Sequence, residues 1–209
     1  MTHTHWDHII GFPFFAPAYR PTFSLDVLAG HVAENGGIRR PFLSQMSDPM
    51  FPVPLDALMA TISFKDFRPK DPLVIEDAVT VHTAPLKHPN GAVGYRLDYE
   101  GMSVCYVTDT EHTPGRLDPD VLELIAGTDL FIYDTSYTEE EFPARVGWGH
   151  STWEEGVRLC EASGAKRLVL FHHDPDHDDT IMERIEDQVR GVLPSALVAR
   201  DGMEVTLRL

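Results

Sequence analysis

The sequence predicts an α/β layered domain, and three observations carry that expectation. Short runs of strand-like composition recur through the second half, at 77–84, 92–99, 102–108, 130–134 and 166–172. Stretches of helical period lie among them, at 118–127, 151–164 and 178–190. Turn residues separate the two kinds, and strands alternating with helices indicate sheets covered by helices. Periodicity leaves parallel and mixed sheets open.

Taken in order, residues 1–8 are a dense His/Asp tract. Residues 9–23 (IIGFPFFAPAYRPTF) are rich in aromatics and proline and predict a packed irregular loop after a short helical turn. A helix over 24–34 is predicted from the cap candidate Ser24, then a loop or short helical segment over 35–53, and a short helix in PLDALMAT at 54–61. AVGYRLDY and MSVCYVT, joined by Glu100-Gly101, predict a hairpin. LFIYD at 130–134 and KRLVLFH at 166–172 predict buried strands. The helix over 151–164 has a capping-box pattern, Ser151 with Glu154, and Gly164 as its stop. Two strands are predicted within 195–208, around Asp201-Gly202. One domain over 1–209 is expected, since this length and a 43% hydrophobic content support a sizeable core.

Charge and cysteine usage narrow the function classes. The 33 acidic and 17 basic residues give a formal charge of −16, which opposes binding of a large nucleic acid. Membrane spanning is not expected, because no apolar run is long enough. Cys105 and Cys160 predict buried free thiols rather than a disulfide framework. With no secretory-signal pattern at the N-terminus, a cytoplasmic location is expected.

The 11 histidines are the unusual count, because many cluster with aspartates. His3, His5 and Asp7 alternate, so an extended segment puts them on one face, and a turn brings His8 beside them. Imidazole and carboxylate suit zinc, manganese or iron. A histidine-rich tag or disordered scavenging tail has the same composition. A tag, however, is not followed by further donors at strand ends, and here His88, Asp109 and His172 follow. His31, His82 and His177 are expected to have no catalytic role, and His112 and His173 are candidates for orienting neighbouring ligands. Asp174, Asp176, Asp178 and Asp179 are read as a solvated loop, and Phe12, Phe14, Phe15 and Tyr19 as core or one pocket wall.

THTHWDH resembles the HxHxDH signature of the metallo-β-lactamase superfamily. Segments around His88, Asp109, Asp134, His150 and His172 follow in the family's order, and GHST at 149–152 with LVLFHHDP resembles its phosphodiesterase branch. That branch includes tRNA 3′-processing endonucleases and phosphoribosyl cyclic phosphodiesterases. The resemblance implies a four-layer αββα sandwich. It also implies two divalent ions, zinc by default with Mn2+ or Fe2+ as alternatives, about 3.5–4 Å apart with a shared water or hydroxide. By the same resemblance His3, His5 and His88 would hold one ion, Asp7, His8 and His172 the other, and Asp109 would bridge. His150 would donate a proton, oriented by Asp134.

Two departures qualify the expectation. The processing endonucleases carry a long insertion where this chain has a tight hairpin between His88 and Asp109. With the acidic balance, this points to a small, cyclic or open, phosphodiester substrate rather than tRNA. Family members also carry roughly fifty residues before the motif, forming the opening strands, so the first half-sheet is expected to be incomplete. A misassigned start, a truncated gene and a genuine short form all explain this. A complete short form would bind metal weakly, lose stability and gain from a homodimer. Two alternatives to a phosphodiesterase follow: an inactive fragment with a structural or interaction role, and a superfamily hydrolase of a thioester or lactone.

Overall fold

The computed structural model describes residues 1–71, 73–75 and 78–207. Asp77, at the start of one expected strand, and Arg208, at the end of another, lie outside the described residues. The chain divides into two compact units, Met1–Pro69 and Lys70–Leu209.

In the first unit, a one-turn helix α1 (Trp6–Ile9) and two 3-10 turns (Phe12–Phe14, Ala16–Tyr19) precede strand β1 (Ser24–Ala29). The predicted helix over 24–34 is therefore corrected to a strand. Val27 and Ala29 alternate inward while Ser24 and Asp26 stay exposed, a period of two that suits a half-buried sheet face. A second strand, β2 (Thr61–Asp66), has no counterpart among the expected elements, and it pairs parallel to β1 from Ser24↔Thr61 to Ala29↔Asp66. Only a 3-10 turn, Leu55–Ala57, occupies the helix expected at 54–61. Helix α2 (Arg39–Gln45) brings Phe42 into a cluster with Ile9, Val27, Ala29, Ile38 and Met46. Phe12, Phe42 and Phe64 stack through it with centroids 4.3 Å and 5.6 Å apart. Phe14, 72% exposed, does not join it.

The second unit is a seven-stranded sheet in simple sequence order: β3 (Leu73–Ile75), β4 (Val79–Leu86), β5 (Ala92–Tyr99), β6 (Met102–Val107), β7 (Leu130–Asp134), β8 (Leu168–Phe171) and β9 (Leu197–Val198). β3 to β6 are antiparallel neighbours, and β6 to β9 run parallel, so the sheet is mixed. The expected hairpin is present, with Glu100 and Gly101 in the left-handed conformation its turn requires. The parallel crossovers use helices α3 (Pro119–Ile125), α4 (Trp153–Ser163) and α5 (Asp179–Val192). Val121, Leu124, Val157, Cys160, Ile185 and Val189 pack from them against Phe131, Tyr133, Leu168 and Leu170.

The caps explain the helix ends. Thr152, not Ser151, caps α4, its hydroxyl accepting from Glu155 N–H at 3.2 Å, and Gly164 ends the helix at φ +70°. Asp178, from the expected acidic loop, caps α5 by accepting from Ile181 N–H at 2.9 Å. Of the two strands expected within 195–208, one short strand, β9, is present among the described residues. Cys105 and Cys160 are free and buried, and burial raises their thiols to about 11 and about 12. No helix among the described residues is long and apolar enough to cross a membrane.

Candidate metal centre

The parallel half of the second sheet builds the site. Asp109 follows β6, Asp134 ends β7 and His172 follows β8, so three hydrogen-bonded neighbours deliver three donors from their carboxyl ends. Asp109 (φ +62°) and His172 (φ +61°) are both left-handed, a conformation that costs a non-glycine residue about 1–2 kcal/mol and that clusters at functional sites. Asp109, Asp134, His150 and His172 each offer one ligand-type atom within 4.8 Å of the others. His172 Nε2 lies 3.4 Å from Asp109 Oδ1, and the His150 and His172 rings stack with centroids 4.9 Å apart.

Hydrogen bonding separates these four groups into different roles. The Asp134 side chain is fully buried. Its Oδ2 accepts from the N–H groups of Asp109 (3.0 Å) and Thr110 (3.2 Å) and from His150 Nδ1 (2.9 Å). Its Oδ1 accepts from Ser136 N–H (3.2 Å), Ser151 N–H (3.4 Å) and, at 2.9 Å, lies against the Ser136 hydroxyl. A carboxylate has about four lone-pair sites. Asp134 is therefore saturated by protein donors, and it fixes His150 and the Asp109 backbone rather than offering itself as a ligand.

The two ligand-type histidines of this unit are each tied at Nδ1. His88 Nδ1 donates to Gly149 O at 2.8 Å. His172 Nδ1 sits 3.1 Å from Ser136 Oγ, which in turn lies 2.6 Å from His172 O. Tying Nδ1 directs Nε2 outward as the donor, the usual second anchor of a metal-ligating imidazole. Asp109, 2% exposed, supplies carboxylate oxygens beside them. This donor set fits a borderline divalent cation such as zinc.

In the first unit, His3 is buried and its ring contacts those of His5 and His8, with centroids 4.6 Å and 4.2 Å apart. The extended register expected through Asp7 stops at His5, which precedes α1, and His8 N–H donates to His5 O at 3.1 Å. The helical turn places His8, rather than Asp7, against His3. Asp7 is exposed, with its carboxylate 3.2 Å from His8 Nε2. His31 Nε2 meets the Thr4 hydroxyl at 3.1 Å, and burial lowers its pKa to about 4.

Three supporting residues carried no sequence signal as site residues. Glu111 Oε2 accepts from the N–H groups of Gly147 (2.5 Å) and Gly149 (3.1 Å), and Oε1 pairs with Lys87 at 3.1 Å. Burial alone would raise this carboxyl, but the bonds from Gly149, Lys87 and Gly147 hold it below its ordinary value. Gly149 is left-handed at φ +89°, and a β-carbon there would lie 2.2 Å from His88 Nδ1. Ser136 couples Asp134 to His172. The two neighbouring histidines serve elsewhere. His112 Nδ1 meets Ser151 Oγ at 2.8 Å, and burial lowers its pKa to about 4. His173 Nε2 donates to Ala199 O at 3.2 Å.

Comparison with known proteins identifies the family and fold. A family model described as a beta-lactamase superfamily domain matches residues 1–173. A ribonuclease Z from Gemmatimonas aurantiaca is 28% identical over 139 residues, 66% of this chain and 40% of that protein, so this chain spans less than half of that relative's length. Among solved structures, the metallo-beta-lactamase fold protein YhfI from Bacillus subtilis superposes with a TM-score of 0.69 at 18% identity, covering 97% of this chain and 74% of the other. The short form of human tRNase Z gives 0.67 at 18% identity, covering 100% and 78%. The chain belongs to the metallo-β-lactamase superfamily and has the α/β fold of that family.

Proposed function

We propose that this chain is a metal-dependent phosphodiesterase in which the two units act as one hydrolase domain. His3, His5 and His88 would hold one divalent ion, Asp7, His8 and His172 a second, and Asp109 would serve both. Zinc is the default ion, with Mn2+ or Fe2+ as alternatives. Such ions supply a nucleophile from water near neutral pH and neutralise charge on phosphoryl oxygens.

The observation that carries the reading is the Asp134–His150 pair beside Asp109 and His172. With Nδ1 held 2.9 Å from Asp134, His150 keeps one tautomer, and Nε2 is the atom that gains and releases a proton. Stacking on His172 fixes the ring plane, so the proton is held beside the ligand cluster and can pass to a leaving alkoxide. The Nδ1 tether alone also suits a metal ligand, so the proton-donor role is assigned to His150 by the family resemblance of the GHST segment together with this pair. Glu111 and Gly149 keep the loop bearing His150 pressed to the base of His88.

The acidic composition and the short His88–Asp109 hairpin favour a small, cyclic or open, diester. The relatives named ribonuclease Z support an RNA phosphodiester as a second reading. The test is turnover by the zinc- or manganese-loaded chain of a dinucleoside monophosphate, whose leaving alkoxide needs a proton, beside bis(p-nitrophenyl) phosphate, whose p-nitrophenolate does not, with His150→Ala as the variant. Metal-dependent turnover of both is expected, with the dinucleoside reaction falling about 100-fold or more in His150→Ala. Indifference of the dinucleoside reaction to His150→Ala, or turnover of thioesters and lactones alone, would reject the reading.

A further inference from the structure

The loop that ends in His150 presents a feature that proton transfer does not use. Trp148 is 58% exposed, yet it sits between two clamped residues, since the N–H groups of Gly147 and Gly149 both donate to the buried Glu111 carboxylate. An exposed indole on a surface loop is normally mobile, and here its backbone is fixed on both sides. The Arg145 guanidinium lies over the indole, 4.9 Å from the ring centroid, and 5.8 Å from the Tyr137 ring. Tyr137 in turn is 6.1 Å from the His150 ring. Arg145 Nε is buried without a hydrogen-bond partner, its guanidinium reaches the Tyr137 hydroxyl, and no carboxylate pairs with it among the described residues, although the chain carries 33 acids. An unneutralised cation in so acidic a chain is one that an anionic ligand can use.

We propose that Arg145 and Trp148 form a recognition subsite for a nucleotide-like arm of the substrate, the indole stacking a nucleobase and the guanidinium facing its phosphate. Arg145 lies over the indole, and with 58% of Trp148 exposed there is indole surface for a planar ring to stack on. Trp148 is two residues from His150, so their α-carbons are within about 7 Å. A base on the indole therefore keeps its attached phosphate within reach of the proton donor. Stacking accepts any base, which gives the subsite a preference for nucleosides over alkyl groups without sequence selectivity.

This inference deepens the phosphodiesterase reading, and a binding measurement separates the two. Isothermal titration of the zinc-loaded chain compares adenosine 5′-monophosphate with methyl phosphate, which shares the phosphate and lacks the base. Adenosine 5′-monophosphate is expected to bind about tenfold tighter or better. Trp148→Ala should remove that advantage and leave methyl phosphate unchanged, Trp148→Phe should retain it, and Arg145→Gln should weaken both probes. Equal affinity for the two probes, or an advantage that survives Trp148→Ala, overturns the subsite. A Trp148-dependent advantage in a chain that hydrolyses no phosphodiester upholds the subsite and overturns the catalytic reading.

Discussion

Gly149 offers the sharpest separation between backbone strain and site construction, because a matched control lies two residues away. Gly147 and Gly149 have nearly the same left-handed φ, +90° and +89°. A β-carbon at Gly147 meets nothing within 4 Å, whereas one at Gly149 lies 2.2 Å from His88 Nδ1 and 2.4 Å from Pro89 Cδ. Gly147→Ala therefore reports only the conformational cost, about 1–2 kcal/mol. Gly149→Ala adds the overlap, about 1–3 kcal/mol more if the neighbours shift as in an overpacked core. The shift must move His88, because its ring provides the shortest contact and a second at 2.8 Å, and its Nδ1 bond to Gly149 O holds it there. Denaturant unfolding of the two variants gives the stability difference, and zinc titration gives the consequence for the site. Gly149→Ala should be the less stable by about 1–3 kcal/mol and should lose at least tenfold in zinc affinity while Gly147→Ala keeps it. Equal stability and equal zinc affinity in the two variants would refute the argument that Gly149 is shaped to hold His88.

Three further outcomes follow from the same geometry. Asp134→Asn replaces acceptor lone pairs with an amide facing N–H donors, so it should cost about 3 kcal/mol or more in urea unfolding and abolish phosphodiesterase turnover. His112 is held neutral by burial, with a folded pKa of about 4 against 6.5 unfolded. The unfolded state therefore binds the extra proton between these values, and stability contributed by neutral His112 is present above pH 6.5 and lost as pH falls toward 4. The slope from this group is at most about 1.4 kcal/mol per pH unit, and His112→Phe should flatten that part of the stability–pH curve. Thr152→Ala should destabilise by about 1 kcal/mol through loss of the α4 cap, measured by thermal unfolding, with α4 otherwise intact.

Legibility from sequence followed the range of the interactions. The hairpin of β5 and β6 could be read because alternation and Glu100-Gly101 are local signals, and LFIYD coincided with β7 because a short apolar run, here LFIY closed by Asp134, fits a buried parallel strand. β1 was misread as a helix because Ser24 imitates an N-cap and Leu28 and Ala29 favour helix. Its strand state depends on pairing with β2, far along the chain, a tertiary override of local preference. The α4 cap was placed one residue early because Ser151 and Thr152 are both capping types, and only the buried contacts of Ser151 with His112 and Tyr133 distinguish them.

The site divides in the same way. Asp109 and His172 stood out as candidate donors because ligand-type residues at strand ends are a recognisable pattern, and His150 stood out through the family resemblance of GHST; the structure brings the three together. Glu111, Ser136 and Gly149 act through backbone hydrogen bonds and through space left open, and neither leaves a spacing signature. Gly149 was within the GHST segment that supported the branch, but its contribution is a positive φ and a missing β-carbon, which only coordinates reveal. The saturation of Asp134 by surrounding donors was likewise beyond the sequence, although its partnership with His150 was implied by the family resemblance.

The proposed function requires that this chain's imidazoles and carboxylates can hold two divalent ions, with Asp109 needed for both. The most direct measurement is zinc stoichiometry of the metal-stripped chain after reloading, by titration with elemental analysis, beside Asp109→Ala. Two zinc ions per wild-type chain and a loss of at least one in Asp109→Ala are expected. Equal zinc content in the two proteins would contradict the account.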